Sequence, residues 1–90
     1  MQGTGKELRT VLSFLQKSFP KHCEFSEIVE SVKLDKEKVN RLITYASDES
    51  LTYTLRASVE GDVTRESHRL SGKGIDKLNN WTDEDDKLIV

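Results

Sequence analysis

The sequence has few residues of the kinds that carry covalent, metal or membrane chemistry. Its 90 residues include one cysteine, one proline, one tryptophan and two histidines. The single cysteine, Cys23, excludes an internal disulfide and favours a reducing compartment. No apolar run is long enough to cross a bilayer, and no secretory hydrophobic segment is present. We therefore expect a cytoplasmic protein that does not enter a membrane.

Apolar residues are also scarce, which limits the size of the core. They make up 34% of the chain, below the share typical of globular domains even with the five glycines added. Ninety residues suffice for one small domain, and so small a core favours self-association. The 14 basic and 16 acidic residues are unevenly distributed. Four acidic residues are consecutive at 83–86, so the acidity belongs mostly to a C-terminal tail.

No residue pattern indicates catalysis or metal binding. His22 and Cys23 are adjacent, but the further cysteines or histidines of a zinc site are missing. Nothing in the sequence supplies the activating base and cationic pocket that a nucleophilic Cys23 needs. Segment 3–6 lacks the first glycine and the final serine or threonine of a phosphate-binding loop. We expect no enzymatic activity, no cofactor and no metal.

Three helical patterns occupy the first half of the chain. The first begins at Thr4, which has capping-box spacing with Glu7, and ends at Pro20. After a short extended segment, Ser26 is expected to cap a second helix and Asp35 a third. Two helices joined by a tight turn form a helix-turn-helix unit. The apolar positions are Leu8, Val11, Leu12, Leu15 and Phe19 in the first helix, Ile28, Val29 and Val32 in the second, and Val39, Leu42, Ile43 and Ala46 in the third.

Segment 51–59 changes to a period of two, which is typical of a half-buried strand. Gly61 and Asp62 suit a two-residue hairpin turn, and that turn places Leu55 and Tyr53 on the core side, with Leu55 opposite His68. His68 is then expected to be partly buried and hydrogen-bonded. A register shifted by one residue would bring two arginines to the core side, so we reject it. The hairpin is therefore predicted to carry three arginines on one solvent face, namely Arg56, Arg65 and Arg69.

A fourth helix is expected to close the domain. Ser71 is its predicted N-cap, and Gly72 and Gly74 indicate close packing against the hairpin. Segment 81–84, Trp-Thr-Asp-Glu, resembles the start of a Myb or SANT repeat, but the remaining residues are too few, so an N-cap at Thr82 is favoured. The residues predicted to be buried are Leu12, Leu15, Ile28, Val39, Leu42, Leu55 and Leu70.

The order of these elements resembles the winged helix-turn-helix superfamily, particularly small prokaryotic and phage regulators of the MarR and PadR kind. The spacing around the turn is similar to the family's, although Lys33 stands where glycine is common. Segment 49–51, Glu-Ser-Leu, resembles the entry to the first wing strand, again without the family's glycine. Segment 70–78 is similar to the family's Leu-Thr-x-x-Gly…Leu step into the closing helix. The residues that carry the resemblance are Val32, Leu34, Val39, Leu42 and Ile43 around the turn, and Leu70, Ser71, Gly72, Lys73, Gly74 and Leu78 at the closing helix.

The resemblance implies a mainly α fold with a small antiparallel β-hairpin, an α+β winged helix-turn-helix, over residues 4–80, followed by an acidic tail or short helix at 81–90. It also implies a small transcription regulator that binds double-stranded DNA, with the third helix in the major groove and the hairpin, or wing, on backbone phosphate. A homodimer through the closing helix, with Ile75, Leu78 and Trp81, would place two such helices on successive half-sites. The residues expected to contact nucleic acid are Lys36, Asn40, Arg41, Thr44, Arg56, Arg65 and Arg69.

Other interpretations of the same residues remain open. Glu37 and Asp48 share the outward helix face with Asn40 and Arg41 and repel phosphate, so that face is equally consistent with an ordinary solvated surface. The hairpin arginines are also consistent with protection of an edge strand. The alternative function is a winged-helix module that binds a protein partner and no nucleic acid.

Overall fold

The structure, a computed structural model, describes residues 4–58 and 64–89. The hairpin turn predicted at Gly61 and Asp62 lies outside these residues. The described residues form five helices and three strands. In chain order they are α1 (Gly5–Ser18), β1 (Cys23–Glu24), α2 (Phe25–Val32), α3 (Lys36–Asp48), β2 (Thr52–Ser58), β3 (Thr64–Leu70), α4 (Gly72–Asn79) and α5 (Asp83–Asp86).

The predicted fold class is confirmed, and the short extended segment expected before the second helix forms a third strand of the sheet. β2 and β3 form the antiparallel wing, and β1 pairs with the other edge of β3, so that the strand order is β1-β3-β2. Cys23 of β1 lies opposite His68 and is fully buried. The first helix therefore connects through β1 to the sheet before the helix-turn-helix unit begins.

The core lies between α1, α2, α3 and one face of the sheet. Six of the seven residues predicted to be buried are at most 1% exposed, and Leu55 is the exception at 51%. Phe14 and Tyr45, which fall off the main apolar faces of their helices, pack against the same core and extend it. Among the described residues, the buried members of this core are Leu8, Val11, Leu12, Leu15, Cys23, Ile28, Val39, Leu42, Ile43, Ala46, Leu51 and Leu70.

The predicted wing register is wrong by one residue. Leu55 lies opposite Ser67, and His68 lies opposite Thr54. The cause lies just before the strand, where Ser50 has a left-handed φ of 61° and Leu51 enters the core from the turn. The next residue, Thr52, also faces inward, so the alternation of β2 starts one position later than the apolar pattern suggests.

This register divides the wing into two faces, because directly opposed residues of an antiparallel pair project to the same side. The wing inner face carries Thr52, Thr54 and Arg56 from β2 with Glu66, His68 and Leu70 from β3. The wing outer face carries Tyr53 and Leu55 from β2 with Arg65, Ser67 and Arg69 from β3. The prediction that Arg56, Arg65 and Arg69 share one face is therefore wrong.

The two positions where the resemblance expects glycine have a left-handed backbone. Lys33, which ends α2, has a φ of 56°, and Ser50, which precedes Leu51, has a φ of 61°. A non-glycine residue in this region costs about 1–2 kcal/mol. Both positions thus take the backbone conformation that favours glycine, although neither is glycine.

Helix starts agree only in part with the predicted caps. Ser71 caps α4 by accepting a hydrogen bond from the Gly74 amide at 3.0 Å, and Thr82 forms a capping box with Asp85. Thr4 and Asp35 occupy N-cap positions but make no side-chain cap hydrogen bond. The predicted cap at Ser26 is wrong, because Glu24 is the N-cap of α2 and Ser26 is the second residue of the helix.

Helix α4 and the acidic tail pack closely on the rest of the domain. A Cβ added to Gly74 would collide with the Leu51 carbonyl oxygen, which confirms the close packing predicted there, whereas one added to Gly72 would meet nothing. Trp81 donates to Asp86 at 2.8 Å, and Lys77 pairs with Asp85 at 2.7 Å. This hydrogen bond from Lys77, with those from Thr82, lowers the pKa of Asp85. The tail thus docks on α1 and α4.

His68 is 3% exposed on the wing inner face, and its Nδ1 lies 3.1 Å from the Thr54 hydroxyl. This confirms the prediction of a buried, hydrogen-bonded histidine. Burial lowers the pKa of His68, and the negative charge of Glu66 opposes that shift only in part. The fold therefore holds the neutral imidazole.

The register predicts opposite effects for two substitutions on β2. The Thr52 hydroxyl is buried with no hydrogen-bond partner among the described residues, so Thr52→Val is expected to raise the free energy of unfolding by about 1 kcal/mol. Leu55→Ala is expected to cost less than about 1 kcal/mol because half of the side chain is already solvated. Urea unfolding followed by circular dichroism measures both. A loss for Leu55→Ala as large as that for Leu70→Ala would restore the predicted register, in which Leu55 lies on the core side opposite His68.

The neutral His68 predicts a loss of stability at mildly acid pH. An unfolded histidine takes up its proton near pH 6.5, whereas the lowered pKa of His68 delays protonation in the folded state. The unfolded chain then binds more protons, so the free energy of unfolding decreases as pH falls below about 6.5. Urea midpoints between pH 7.5 and 5.5 are expected to fall for the wild type and for His22→Gln, and to change less for His68→Gln. An identical pH dependence in His68→Gln contradicts this assignment.

Candidate nucleic-acid interface

The outward face of α3 is exposed along its whole length. The core side of α3 is formed by Val39, Leu42, Ile43 and Ala46, and the 100° advance per residue places the polar positions opposite or beside it. The predicted contact residues on this helix are all exposed, as are the two acidic residues among them. These exposed residues are Lys36, Glu37, Asn40, Arg41, Thr44 and Asp48.

One flank of α3 and the wing inner face enclose an open groove, which we call the α3–wing groove. Its volume is about 1020 Å³. Phe25 and Ile43 contribute apolar surface to its walls, and the remaining lining is polar or charged. The polar lining is Lys36, Glu37, Asn40, Thr44, Ser47 and Asp48 from α3, with Thr54, Arg56, Glu66 and His68 from the wing.

Four of the seven predicted contact residues come together in this groove. Lys36, Asn40 and Thr44 form one wall, and Arg56 lies on the other. Arg41 is exposed on the crest of α3, outside the groove lining. Arg65 and Arg69 lie on the opposite side of the wing and do not join this site.

The charge of the α3–wing groove is close to balanced. Two cationic residues, Lys36 and Arg56, face three acidic ones, Glu37, Asp48 and Glu66. Arg56 Nε lies 2.9 Å from Glu66 Oε1, and the Arg56 side chain is 71% exposed. Such an exposed ion pair contributes little to stability, so Arg56 can exchange the carboxylate for another anion at low cost.

The wing outer face carries features that the sequence pattern did not predict. The Arg69 guanidinium carbon lies 4.7 Å from the centre of the Tyr53 ring and 5.8 Å from that of Phe19. Arg65 pairs with Glu24 of β1 at 3.5 Å. The sequence feature that could have predicted this face is the pair Leu51 and Thr52. Because both are buried, the alternation of side chains along β2 places Tyr53 on the outer face.

The described residues form neither a metal-ligand cluster nor a membrane-spanning helix. In the described ranges no three histidine, cysteine or acidic side chains come together as a metal site. Cys23 is a free thiol enclosed in the core. No helix within those ranges has the length and apolar character needed to span a bilayer.

Comparison with known proteins finds a likeness among solved structures. No family model and no curated protein matches the sequence. Among solved structures, the chain is similar to a mutant of MepR from a multidrug-resistant S. aureus clinical isolate, with a TM-score of 0.71 at 17% identity. The match covers 87% of this chain and 55% of that one, so this chain spans about half the length of that protein. MepR is a winged-helix protein of the MarR family.

This likeness concerns the fold, and it agrees with the element order described above. The helix pair α2 and α3, the wing of β2 and β3, and the closing helix α4 occur in the order that the resemblance implied. The fold that the resemblance implied is thereby confirmed, and the chain has the winged helix-turn-helix fold.

Proposed function

We propose that this chain is the DNA-binding domain of a small transcription regulator. The observation that carries the proposal is the convergence of Lys36, Asn40 and Thr44 from α3 with Arg56 from the wing on one open groove. A helix-turn-helix docks its second helix in the major groove, with the N-terminal residues of that helix on base edges. The corresponding helix in this chain is α3, and its exposed first turn begins at Lys36.

Each residue type suits a different part of a duplex. Asn40 has the paired donor and acceptor that match adenine, and Arg41 has the donor fork that matches guanine. Lys36 and Arg56 carry the positive charges that backbone phosphates attract. We therefore assign base contacts to Asn40 and Arg41, with Thr44 beside them, and phosphate contacts to Lys36 and Arg56.

The acidic residues of the groove indicate how such a domain would select its target. Glu37, Asp48 and Glu66 offset the positive charges, so non-specific attraction to the backbone is weak. Base contacts then supply a larger share of the affinity than in a strongly basic domain. A preferred site would be bound well and random duplex poorly.

A homodimer through the closing helix belongs to the same proposal, because two α3 helices about 34–36 Å apart would read successive half-sites. Ile75, Leu78 and Trp81 are half-buried against the core of their own chain, which leaves only part of their surface for a partner.

The alternative function is a protein-interaction module. The near balance of charge in the groove favours that alternative over non-specific DNA binding.

A salt titration with random duplex tests the phosphate contacts. Replacing Lys36 and Arg56 together by alanine is expected to weaken binding to every duplex. The slope of log affinity against log salt is expected to become shallower by about 1.8, from about 0.9 per lost phosphate contact. Fluorescence anisotropy over a range of salt concentrations measures this slope.

The matched control for this titration removes the same charge from the opposite face of the wing. The double variant Arg65→Ala/Arg69→Ala is expected to leave the duplex slope unchanged, because both residues lie away from the groove. If this control reduces the slope instead, the duplex surface is the wing outer face. If the intact protein shows no salt-sensitive duplex binding at low ionic strength, the protein-interaction module becomes the better assignment.

Arg41→Ala tests base recognition. On a preferred site selected from a random library, loss of a bidentate contact is expected to cost about 1–3 kcal/mol and to relax selectivity at one base pair. Binding to random duplex is expected to change little. Arg9→Ala, which changes an exposed arginine of α1 outside the groove lining, is the charge-matched control. Equal losses for Arg41→Ala on preferred and random duplex would reassign Arg41 to phosphate.

A further inference from the structure

The wing outer face presents an exposed cluster of aromatic, aliphatic and cationic side chains. We call it the aromatic–arginine patch, defined by Tyr53, Leu55, Arg65 and Arg69 of that face together with the neighbouring Phe19 at the end of α1. Tyr53 is 54% exposed, Leu55 51% and Phe19 42%. These three, with Ile89 elsewhere on the surface, are the exposed large hydrophobic residues of the described chain. The patch is separate from the α3–wing groove, because the two lie on opposite faces of the same hairpin.

Arg69 is the centre of the patch. Its guanidinium lies over the Tyr53 ring at 4.7 Å and near the Phe19 ring at 5.8 Å. Within the described residues Arg69 has no carboxylate partner, and its hydrogen bond there goes to the neighbouring Leu70 carbonyl at 3.2 Å. Its positive charge is therefore held in place by aromatic contacts and is not neutralised by a nearby acid.

The patch and its ion-pair partner together carry a net positive charge. Arg65 is paired with Glu24 at 3.5 Å, in a contact between two side chains that are each about half exposed or more. Such a solvated pair is weak and exchangeable. Arg65 and Arg69 together thus face one carboxylate, which favours an anionic ligand.

We infer that the aromatic–arginine patch is a binding site for single-stranded nucleic acid. A single strand combines phosphates, which arginine contacts, with unstacked bases, which stack on aromatic rings and guanidinium planes. A duplex offers base edges in its grooves and keeps the base faces covered by neighbouring pairs, so it cannot use exposed rings in this way. The patch lies on an open sheet face, where aromatic residues in other nucleic-acid-binding domains stack about two or three bases.

The roles within the patch follow from these contacts. Tyr53 and the outer plane of the Arg69 guanidinium present stacking surfaces, with Phe19 beside them. Arg65 contacts backbone phosphate after releasing Glu24. Leu55 contributes apolar contact next to the stacked bases.

The experiment measures binding of the whole chain to labelled oligothymidylate and oligouridylate of about 12 nucleotides, a length within the range of single-strand sites. Fluorescence anisotropy is recorded at about 50 mM salt, where phosphate contacts are strong. Tyr53→Leu removes the ring but keeps apolar bulk, and it is expected to raise the dissociation constant at least about 5-fold. Tyr53→Phe is expected to bind nearly as well as wild type, because it keeps the ring. Binding of either oligonucleotide supports the proposal, and their ratio reports preference for DNA or RNA.

A control variant separates this site from surface charge in general. Arg69→Ala is expected to weaken single-strand binding at least about 5-fold, while Arg9→Ala, an exposed arginine of α1 outside the patch, leaves it unchanged. Tyr53, Arg69 and Arg9 are not part of the buried core, so circular dichroism of each variant is expected to match wild type. Duplex binding is tested on Lys36 and Arg56 and single-strand binding on Tyr53 and Arg69, so either proposal can fail alone.

Three outcomes overturn the inference. The first is absence of single-strand binding by the intact chain at low salt. The second is equal binding by Tyr53→Leu and wild type. The third is dissociation of a dimer by Tyr53→Leu in sedimentation while single-strand binding is unaffected. That result would assign the patch to contact with a second copy of the chain.

Discussion

The arrangement of the wing and closing helix depends on the turn at Ser50 and Leu51. The left-handed Ser50 turns Leu51 into the core, and the Leu51 amide donates to Ala46 at the end of α3 at 2.8 Å. The Leu51 carbonyl accepts from the Ser71 amide at 3.0 Å, and Gly74 leaves no space between α4 and that carbonyl. One residue thus joins α3, β2 and the start of α4. Its inward position sets the register of the whole wing, because side chains alternate strictly from that point.

This register gives the two faces of one hairpin different chemistry. The inner face holds His68 in its neutral form and places Arg56 across the groove from Asn40. The outer face leaves Tyr53 and Arg69 in contact with each other and open to solvent. A domain of this size has little core, and leaving these aromatic and aliphatic side chains outside gives up burial that would stabilise it. Their exposure is therefore an argument for a contact made outside the chain.

The acidic tail makes structural contacts that its composition does not predict. Asp85 and Asp86 are bound to Lys77 and Trp81, and the Thr4 amide donates to the Leu88 carbonyl at 2.7 Å. The tail segment therefore closes against α1, and only some of its carboxylates are free to act on a distant anion. Removing the tail would uncover apolar surface of α1 and α4 as well as remove charge.

The sequence alone determined the order and type of the main elements, because helical and strand periodicities, the Ser71 cap and most of the core are local patterns. It also determined which α3 residues are exposed, since Val39, Leu42 and Ile43 define the buried side of that helix. Only the tertiary structure decided the wing register. Thr52 is polar but similar in size to a small aliphatic residue, so it can be buried where the apolar pattern does not predict it. In addition, no glycine marks the left-handed turn at Ser50. The tertiary structure therefore also decided which arginines meet α3. The reason is that strand alternation specifies two faces but not which of them is buried, and that choice is made by the contacts of Leu51 with α3 and α4.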